Sequence, residues 1–144
     1  MSKTTMEWNA CAADSSALNG CWLVTEAHLG GVRLPENALS GLTLHVQSGT
    51  FVFGSDHGII TVDRSSRPPA LDVIATAGPN AGRFVPAIFE QTGGRLRICF
   101  DLAGRDRPTD FTAPIRSNRF LAVYRREHGM TAPDPFPHLP TPPV

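Results

Sequence analysis

Short runs in which apolar and polar residues alternate follow one another along most of the chain, and turn-forming residues separate them. Leu96, Ile98 and Phe100, for example, alternate with polar neighbours directly after a Gly-Gly pair. Alternation with a period of two puts one face of an extended segment in a core and the other in solvent. With the turns, this pattern predicts eight β-strands, at residues 20–29, 42–47, 50–53, 59–63, 71–76, 83–91, 95–101 and 119–126.

One segment between the first two strands has a different pattern. It runs from Pro35, a residue suited to the first position of a helix, to Gly41, a residue suited to its end, and it predicts a single helical turn. Eight short strands joined by hairpin-length turns predict an all-β fold, an eight-stranded antiparallel up-and-down barrel. Pro86, inside the sixth run, predicts a bulge or a sheet edge at that point.

A barrel of eight strands is just wide enough to be filled by its own side chains or to hold one small ligand. Large apolar residues on the predicted strands are the candidates for lining such a cavity. Plain core packing is the alternative role for them, because a barrel needs large side chains to fill it. The candidate ligand-binding residues are Val24, Phe51, Phe53, Phe84, Phe89, Ile98 and Phe100.

The first strand opens with Gly20-x-Trp22, which brings the largest apolar side chain of the set to one face of the sheet. Strict alternation places Glu26 and His28 on the same face as Trp22. If that face points inward, the two form a candidate catalytic pair for proton transfer. The alternative, which we favour, is that both lie in solvent at the barrel mouth, because they are close to the end of the strand.

The charges of the chain exclude two classes of partner. Thirteen basic and thirteen acidic residues give the 144-residue chain a net charge of zero, with a pI near 7.0. Such a chain has no electrostatic footprint for nucleic acid or for an anionic membrane surface, and we exclude both as main partners. No apolar run has the length of a signal peptide or a membrane span, which predicts a cytoplasmic protein.

The composition divides the chain into three parts around one core. A chain of this length fits a single domain that needs no disulfide or metal to fold. Residues 1–17 mix small and polar types without a period, which predicts a flexible arm, and residues 18–128 carry the barrel pattern. Residues 129–144 are rich in proline, which cannot pair in a sheet, so they predict an extended or disordered tail.

No residue pattern indicates a metal or a cofactor. The three cysteines, Cys11, Cys21 and Cys99, are odd in number and lack Cys-x-x-Cys spacing, which indicates reduced thiols rather than a disulfide framework or a zinc site. The five histidines are dispersed along the chain. No phosphate-binding loop, nucleophile elbow or zinc-protease motif occurs. We therefore expect neither a metal nor a cofactor.

Six ordered blocks, at residues 18–22, 34–42, 78–82, 94–99, 107–111 and 121–127, resemble an uncharacterised lipocalin-like domain family that is abundant in planctomycete bacteria. The chain departs from that pattern at Cys21, where the family often has threonine, and the proline-rich tail lies outside it. The resemblance implies a bacterial protein with a lipocalin-like barrel and no particular reaction. The blocks are LNGCW at 18–22, LPENALSGL at 34–42, GPNAG at 78–82, GRLRIC at 94–99, RPTDF at 107–111 and LAVYRRE at 121–127.

The same resemblance implies how one end of the barrel is closed. In lipocalins the tryptophan of the Gly-x-Trp motif plugs one end, and an arginine of the last strand lies across its ring. Here this implies that Trp22 pairs with Arg125 or Arg126 in a cation-π contact. The opposite end would then be the mouth of the cavity.

These observations support two classes of function, with a third in reserve. The first is a lipocalin-like barrel that encloses a small hydrophobic molecule. The alternative is a cofactor-independent cyclase or isomerase of a specialised-metabolite pathway, with a polyketide-like substrate folded inside the barrel. A barrel filled by its own side chains and acting as a protein-interaction module is the second alternative. The sequence predicts neither the ligand nor the oligomeric state.

Overall fold

A computed structural model of the protein describes residues 17–127, and within them the backbone is almost entirely extended. Nine strands and one short helix follow one another along this part of the chain. In chain order they are β1 (Gly20–Leu29), β2 (Val32–Arg33), α1 (Glu36–Leu39), β3 (Thr43–Gln47), β4 (Thr50–Phe53), β5 (Asp56–Asp63), β6 (Ala70–Ala77), β7 (Phe84–Thr92), β8 (Arg95–Asp101) and β9 (Arg119–Arg126).

Eight of these strands form a closed ring. Each strand from β3 to β8 pairs antiparallel with the next strand along the chain. Strand β1 pairs with β3, and β9 pairs with β1 along most of its length, which closes the ring. The strand β2 stands outside the ring and extends a short hairpin from the end of β1. The fold is therefore a closed eight-stranded antiparallel barrel with one short helix, as the sequence pattern predicts.

The connections divide the barrel into two different ends. Tight turns such as Ser48-Gly49 and Gly93-Gly94 lie at the end where β1 begins. The longest connection, residues 102–118, lies at the opposite end together with residues 78–83, whereas residues 64–69 connect β5 to β6 at the first end. We call the first the closed end and the second the open end.

A bulge in β1 changes which residues face the interior. Trp22 and Val24 pair with Arg126 and Tyr124 of β9, but Glu26 then pairs with Val123, which leaves Thr25 unpaired. One extra residue in a strand shifts every later side chain to the other face. Beyond the bulge, Ala27 and Leu29 therefore face inward instead of their polar neighbours.

The segment between β2 and β3 completes the wall where β1 and β3 separate. Their pairing covers only four residues from Gly20 to Leu23. The helix α1 lies beyond that point, and its Leu39 is buried in the core, with Leu34 and Leu42 packed against the same core. Burial of Leu39 holds α1 in place. Pro35, which precedes the helix, adds no side-chain capping hydrogen bond.

Residues 102–118 fold back over the outer face of the barrel and are held there by polar contacts. The Arg107 guanidinium donates to the carbonyl oxygens of Leu71 and Ala87, at 3.3 and 3.0 Å, and forms an ion pair of 2.7 Å with Asp72. Asp101 accepts hydrogen bonds from three backbone amides at the start of the loop. The loop is therefore fixed at its first turn and across β6 and β7.

The structure bears on the predictions for β2, for Pro86 and for the two ends of the chain. The sequence pattern did not predict β2, which is too short for an alternating run. Pro86 pairs with Asp72 of β6 without a bulge, and the pairing of β7 with β8 begins only at Ala87, so Pro86 lies at an edge position where its missing N–H interrupts no bond in the β7–β8 ladder. The predicted arm (residues 1–17, apart from Ala17) and the tail (129–144) lie outside the described residues.

Candidate functional site: a cavity inside the barrel

Trp22 closes one end of the barrel from within. It is completely buried, and its indole Nε1 donates to the carbonyl oxygen of Leu18 at 2.8 Å. The Arg126 guanidinium lies over its ring, with Cζ 4.2 Å from the ring centroid. The same guanidinium donates to the carbonyl oxygens of Asn19 and Ala17, at 2.7 and 3.0 Å. Of the two arginines implied by the resemblance, the contact is made by Arg126.

The interior of the barrel, between Trp22 and the open end, contains a cavity of about 350 Å³. It extends from the closed end to the open end and is bounded by strands from every part of the ring. Sixteen of its twenty lining residues are apolar: Leu18, Leu29, Leu44, Val46, Phe51, Phe53, Ile60, Leu71, Val73, Ala75, Val85, Leu96, Ile98, Phe100, Leu102 and Phe120.

A glycine makes room for one of the aromatic rings in this wall. Phe51 of β4 lies opposite Gly58 of β5. A Cβ atom on Gly58 would come within 2.6 Å of Phe51 Cε1 and within 2.1 Å of the carbonyl oxygen of Ile74. Glycine at this position therefore lets Phe51 lie flat against the wall and lets β5 and β6 approach each other closely.

Tyr124 is the one polar side chain that lines the inner half of the cavity among the described residues. It pairs with Val24 and Leu96, close to Trp22, and only 1% of its surface is exposed. Its hydroxyl forms no hydrogen bond with a described residue and is open to the cavity. Burial raises the pKa of this phenol, which stays protonated at neutral pH.

The other polar lining residues form a group at the open end. Asp56 accepts hydrogen bonds from the backbone amide and the side-chain amide of Asn80, at 2.9 and 2.8 Å. Arg83 donates to the carbonyl oxygen of Leu102 at 2.6 Å. These contacts tie the loop at 78–83 to its neighbours on both sides. The mouth therefore carries a hydrogen-bonded polar group beside apolar residues such as Leu29 and Leu102, whereas the interior is apolar except for Tyr124.

The predicted ligand-binding residues fall into three groups. Phe51, Phe53, Ile98 and Phe100 line the cavity. Val24 and Phe89 are buried in the core of the barrel without lining the cavity. Phe84 pairs with Ile74 on the outer face and is 44% exposed, because Val85 takes the inward position at the start of β7.

The structure places Glu26 and His28 on the outer face of the barrel. The prediction that they share the face of Trp22 is wrong, because the bulge at Thr25 reverses the alternation. The two side chains lie 2.9 Å apart, between His28 Nε2 and Glu26 Oε2, and both are partly exposed. Arg33 lies near the same carboxylate, at 3.9 Å. Neither residue lines the cavity, so they form a pair on the surface.

Two of the other potentially reactive side chains lie close together: Cys21 Sγ is 3.9 Å from His45 Nε2, and the two residues are partners in the pairing of β1 with β3. Cys21 and Cys99 are free and buried, and burial raises the pKa of both thiols. Within residues 17–127, no three His, Cys, Asp or Glu side chains are grouped in a way suited to a metal ion. Over the same residues, no helix has the length and apolar character needed to cross a membrane. Cys11, His128 and His138 lie outside the described residues.

Comparison of the chain with protein-family models, curated proteins and solved structures finds no match.

Sequence reasoning missed the polar residues of the cavity. Tyr124 was predictable in principle, because it alternates with Ala122 and Phe120 along β9 and so shares their face. Asp56, Asn80 and Arg83 carried no such signal. They lie in or beside turns, and only the closure of the barrel brings these turns to one mouth.

Proposed function

We propose that the protein binds a small, mainly apolar molecule inside its barrel. The observation that carries this proposal is the apolar cavity of about 350 Å³ in a closed barrel with one end plugged by Trp22. Natural sites for small molecules have volumes of roughly 300–1,000 Å³, with apolar walls and a few polar groups. The cavity is at the lower end of this range and has the same division between wall and polar groups.

The alternatives fare differently against this geometry. The interaction-module hypothesis assumes a barrel filled by its own side chains, whereas the interior of this barrel contains room for a ligand. The cyclase or isomerase hypothesis stays a prediction, with catalysis through enclosure and orientation of the substrate. Proton transfer by Glu26 and His28 inside the cavity is not part of this proposal, because both lie on the outer face. The resemblance to lipocalin-like domains agrees with a binding barrel, and we infer that relationship from the blocks of sequence that carry it.

The experiment uses two adjacent residues of β6 that face opposite ways. Val73 lines the cavity, whereas Ile74 lies on the outer face and is 42% exposed. We measure the fluorescence of an environment-sensitive dye, anilinonaphthalene sulfonate, during titration with wild type, Val73→Phe and Ile74→Phe. The wild type is expected to bind the dye at roughly micromolar Kd, as apolar burial in a small site allows.

Val73→Phe should weaken this binding at least tenfold, because the added ring occupies the cavity, while Ile74→Phe should leave it unchanged. Thermal melts of all three proteins establish that each is folded. Equal affinity of Val73→Phe and wild type would contradict the proposal, as would failure of the folded wild type to bind any apolar probe.

A further inference from the structure

The inner half of the cavity contains one polar group for which the fold supplies no partner. The hydroxyl of Tyr124 belongs to a side chain that is 99% buried and lines the cavity, and no described residue hydrogen-bonds to it. The oxygen is open to the cavity rather than sealed within the wall, so a molecule inside the cavity can hydrogen-bond to it. It is the one hydroxyl in an otherwise apolar inner wall, and no described residue hydrogen-bonds to it, so it is the polar group that a ligand would meet there.

We infer that the ligand enters with an uncharged oxygen foremost and that this oxygen hydrogen-bonds to the hydroxyl of Tyr124 at the closed end. This inference rests on the proposed function and specifies the chemistry of its ligand. A phenol both donates and accepts a hydrogen bond, so it matches a carbonyl or a hydroxyl group. A hydrocarbon that filled the inner cavity would leave the phenol unpaired, which a site of this kind penalises.

The positions of the charged residues that line the cavity explain why the ligand's oxygen near Tyr124 should be uncharged. The two charged lining residues, Asp56 and Arg83, both lie at the open end, where Phe120 of β9 also lines the cavity. Tyr124 is four residues further along β9, which corresponds to about 13 Å in an extended strand. A carboxylate or an ammonium group beside Tyr124 would meet no charged residue of the cavity lining, because the nearby Arg126 does not line the cavity and its guanidinium is engaged by the Trp22 ring and by the carbonyl oxygens of Asn19 and Ala17. The class of ligand is a mainly apolar alcohol, aldehyde, ketone or ester with its oxygen near one end.

The test compares probes that differ only at the end of one chain. Decanol, decanoate and decane are used to displace the bound dye from wild type and from Tyr124→Phe, which removes only the hydroxyl. We expect wild type to prefer decanol to decane. In Tyr124→Phe the affinity for decanol should fall about three- to tenfold, as expected for one hydrogen bond, while that for decane should stay the same or rise. Decanoate should bind wild type more weakly than decanol.

The outcomes separate this inference from the function on which it rests. If wild type binds decanol and decane equally well, or if Tyr124→Phe weakens both to the same extent, the cavity binds ligands but Tyr124 does not select them, and the inference is overturned. Tighter binding of decanoate than of decanol would also overturn it. If no probe and no dye binds to the folded wild type, the proposed function itself fails. Matching melting curves for the two proteins establish that Tyr124→Phe preserves the fold.

Discussion

The guanidinium of Arg126 lies across the ring of Trp22, and the two residues are also direct partners in the pairing of β9 with β1. The contact therefore joins the first and last strands of the ring where the barrel closes. Arg126 also donates to two backbone carbonyls of the segment before β1. The Arg126 side chain thus packs over Trp22, holds the segment before β1 and strengthens the pairing of β1 with β9.

Truncation of the plug should destabilise the whole barrel. Trp22→Ala removes a fully buried ring at the closed end, and we expect a loss of about 3–5 kcal/mol in the free energy of unfolding. Urea unfolding followed by circular dichroism measures this loss. Unfolding curves that coincide for Trp22→Ala and wild type would show that the ring does not close the barrel.

Arg126, which contacts Trp22, and its neighbour Arg125, which does not, provide a matched pair of variants for testing this contact. Arg126→Ala removes the cation over Trp22 and two hydrogen bonds, so we expect a loss of about 1–3 kcal/mol. Arg125→Ala removes one ion pair, 3.0 Å long, between the largely exposed Arg125 and Glu127, whose Oε2 is buried, and should cost about 1 kcal/mol, less than Arg126→Ala. The two variants are compared by urea unfolding in the same buffer. A loss at Arg125 equal to that at Arg126 would contradict the role assigned to Arg126.

Much of the fold was predictable because the β-strands obey one simple rule. Alternating runs, such as the one through Leu96 and Ile98 in β8, have the same inward face in the structure that the sequence pattern indicates. The rule failed in β1, where a single unpaired residue, Thr25, reverses the alternation. A bulge adds no distinctive residue type here, so the sequence contains no sign of it.

The bulge leads to a prediction for Glu26. Because its side chain lies outside the barrel, Glu26→Gln should leave the affinity for an apolar dye unchanged within twofold. The exposed contacts with His28 and Arg33 contribute little, and stability should change by less than about 1 kcal/mol. Dye titration and urea unfolding measure the two effects. A large loss of binding in Glu26→Gln would mean that its carboxylate reaches the ligand after all.

Composition and spacing could not locate the mouth of the cavity. Asp56 and Asn80 are 24 residues apart, and each resembles an ordinary turn residue in the sequence. Their contact depends on the register of β4 to β7, which is set by pairing around the ring and not by the local sequence. The apolar wall repeats along each strand and is therefore predictable, whereas the polar rim arises from contacts between strands.

Gly58 should be among the positions least tolerant of a methyl group. A Cβ atom there meets the carbonyl oxygen of Ile74 and the ring of Phe51, so Gly58→Ala must displace both, at an expected cost of at least about 1–3 kcal/mol. Gly41→Ala is the control, because its Cβ would meet no atom within 4 Å and only its positive φ of 73° opposes the change. Adding Phe51→Leu to Gly58→Ala should recover part of the loss. If the double variant is simply the sum of the two single losses, the ring is not what the methyl group displaces.

The stability supplied by Asp101 should depend on pH in acid. Burial of this carboxyl opposes its ionisation, but hydrogen bonds from the backbone amides of Asp106, Arg105 and Ala103 outweigh that effect, and the pKa of Asp101 lies below its ordinary value of 3.8. A lowered pKa means that the folded state binds this proton less readily than the unfolded state. The stabilisation is therefore complete above about pH 3.8 and is lost as the pH falls through the lower, folded-state pKa.

The variant Asp101→Asn isolates this effect. An amide keeps one acceptor oxygen but presents an NH₂ group to the remaining backbone donors, so at pH 7 we expect a loss of about 1–3 kcal/mol. In acid the wild-type carboxyl is protonated as well, and the gap between the two proteins should narrow below about pH 3.8. Urea unfolding of both proteins at pH 7 and at several values from pH 5 to pH 2 measures the gap. Asp106→Asn, an exposed change in the same loop, should show no such narrowing, and a gap for Asp101→Asn that stays constant with pH would contradict the role of its charge.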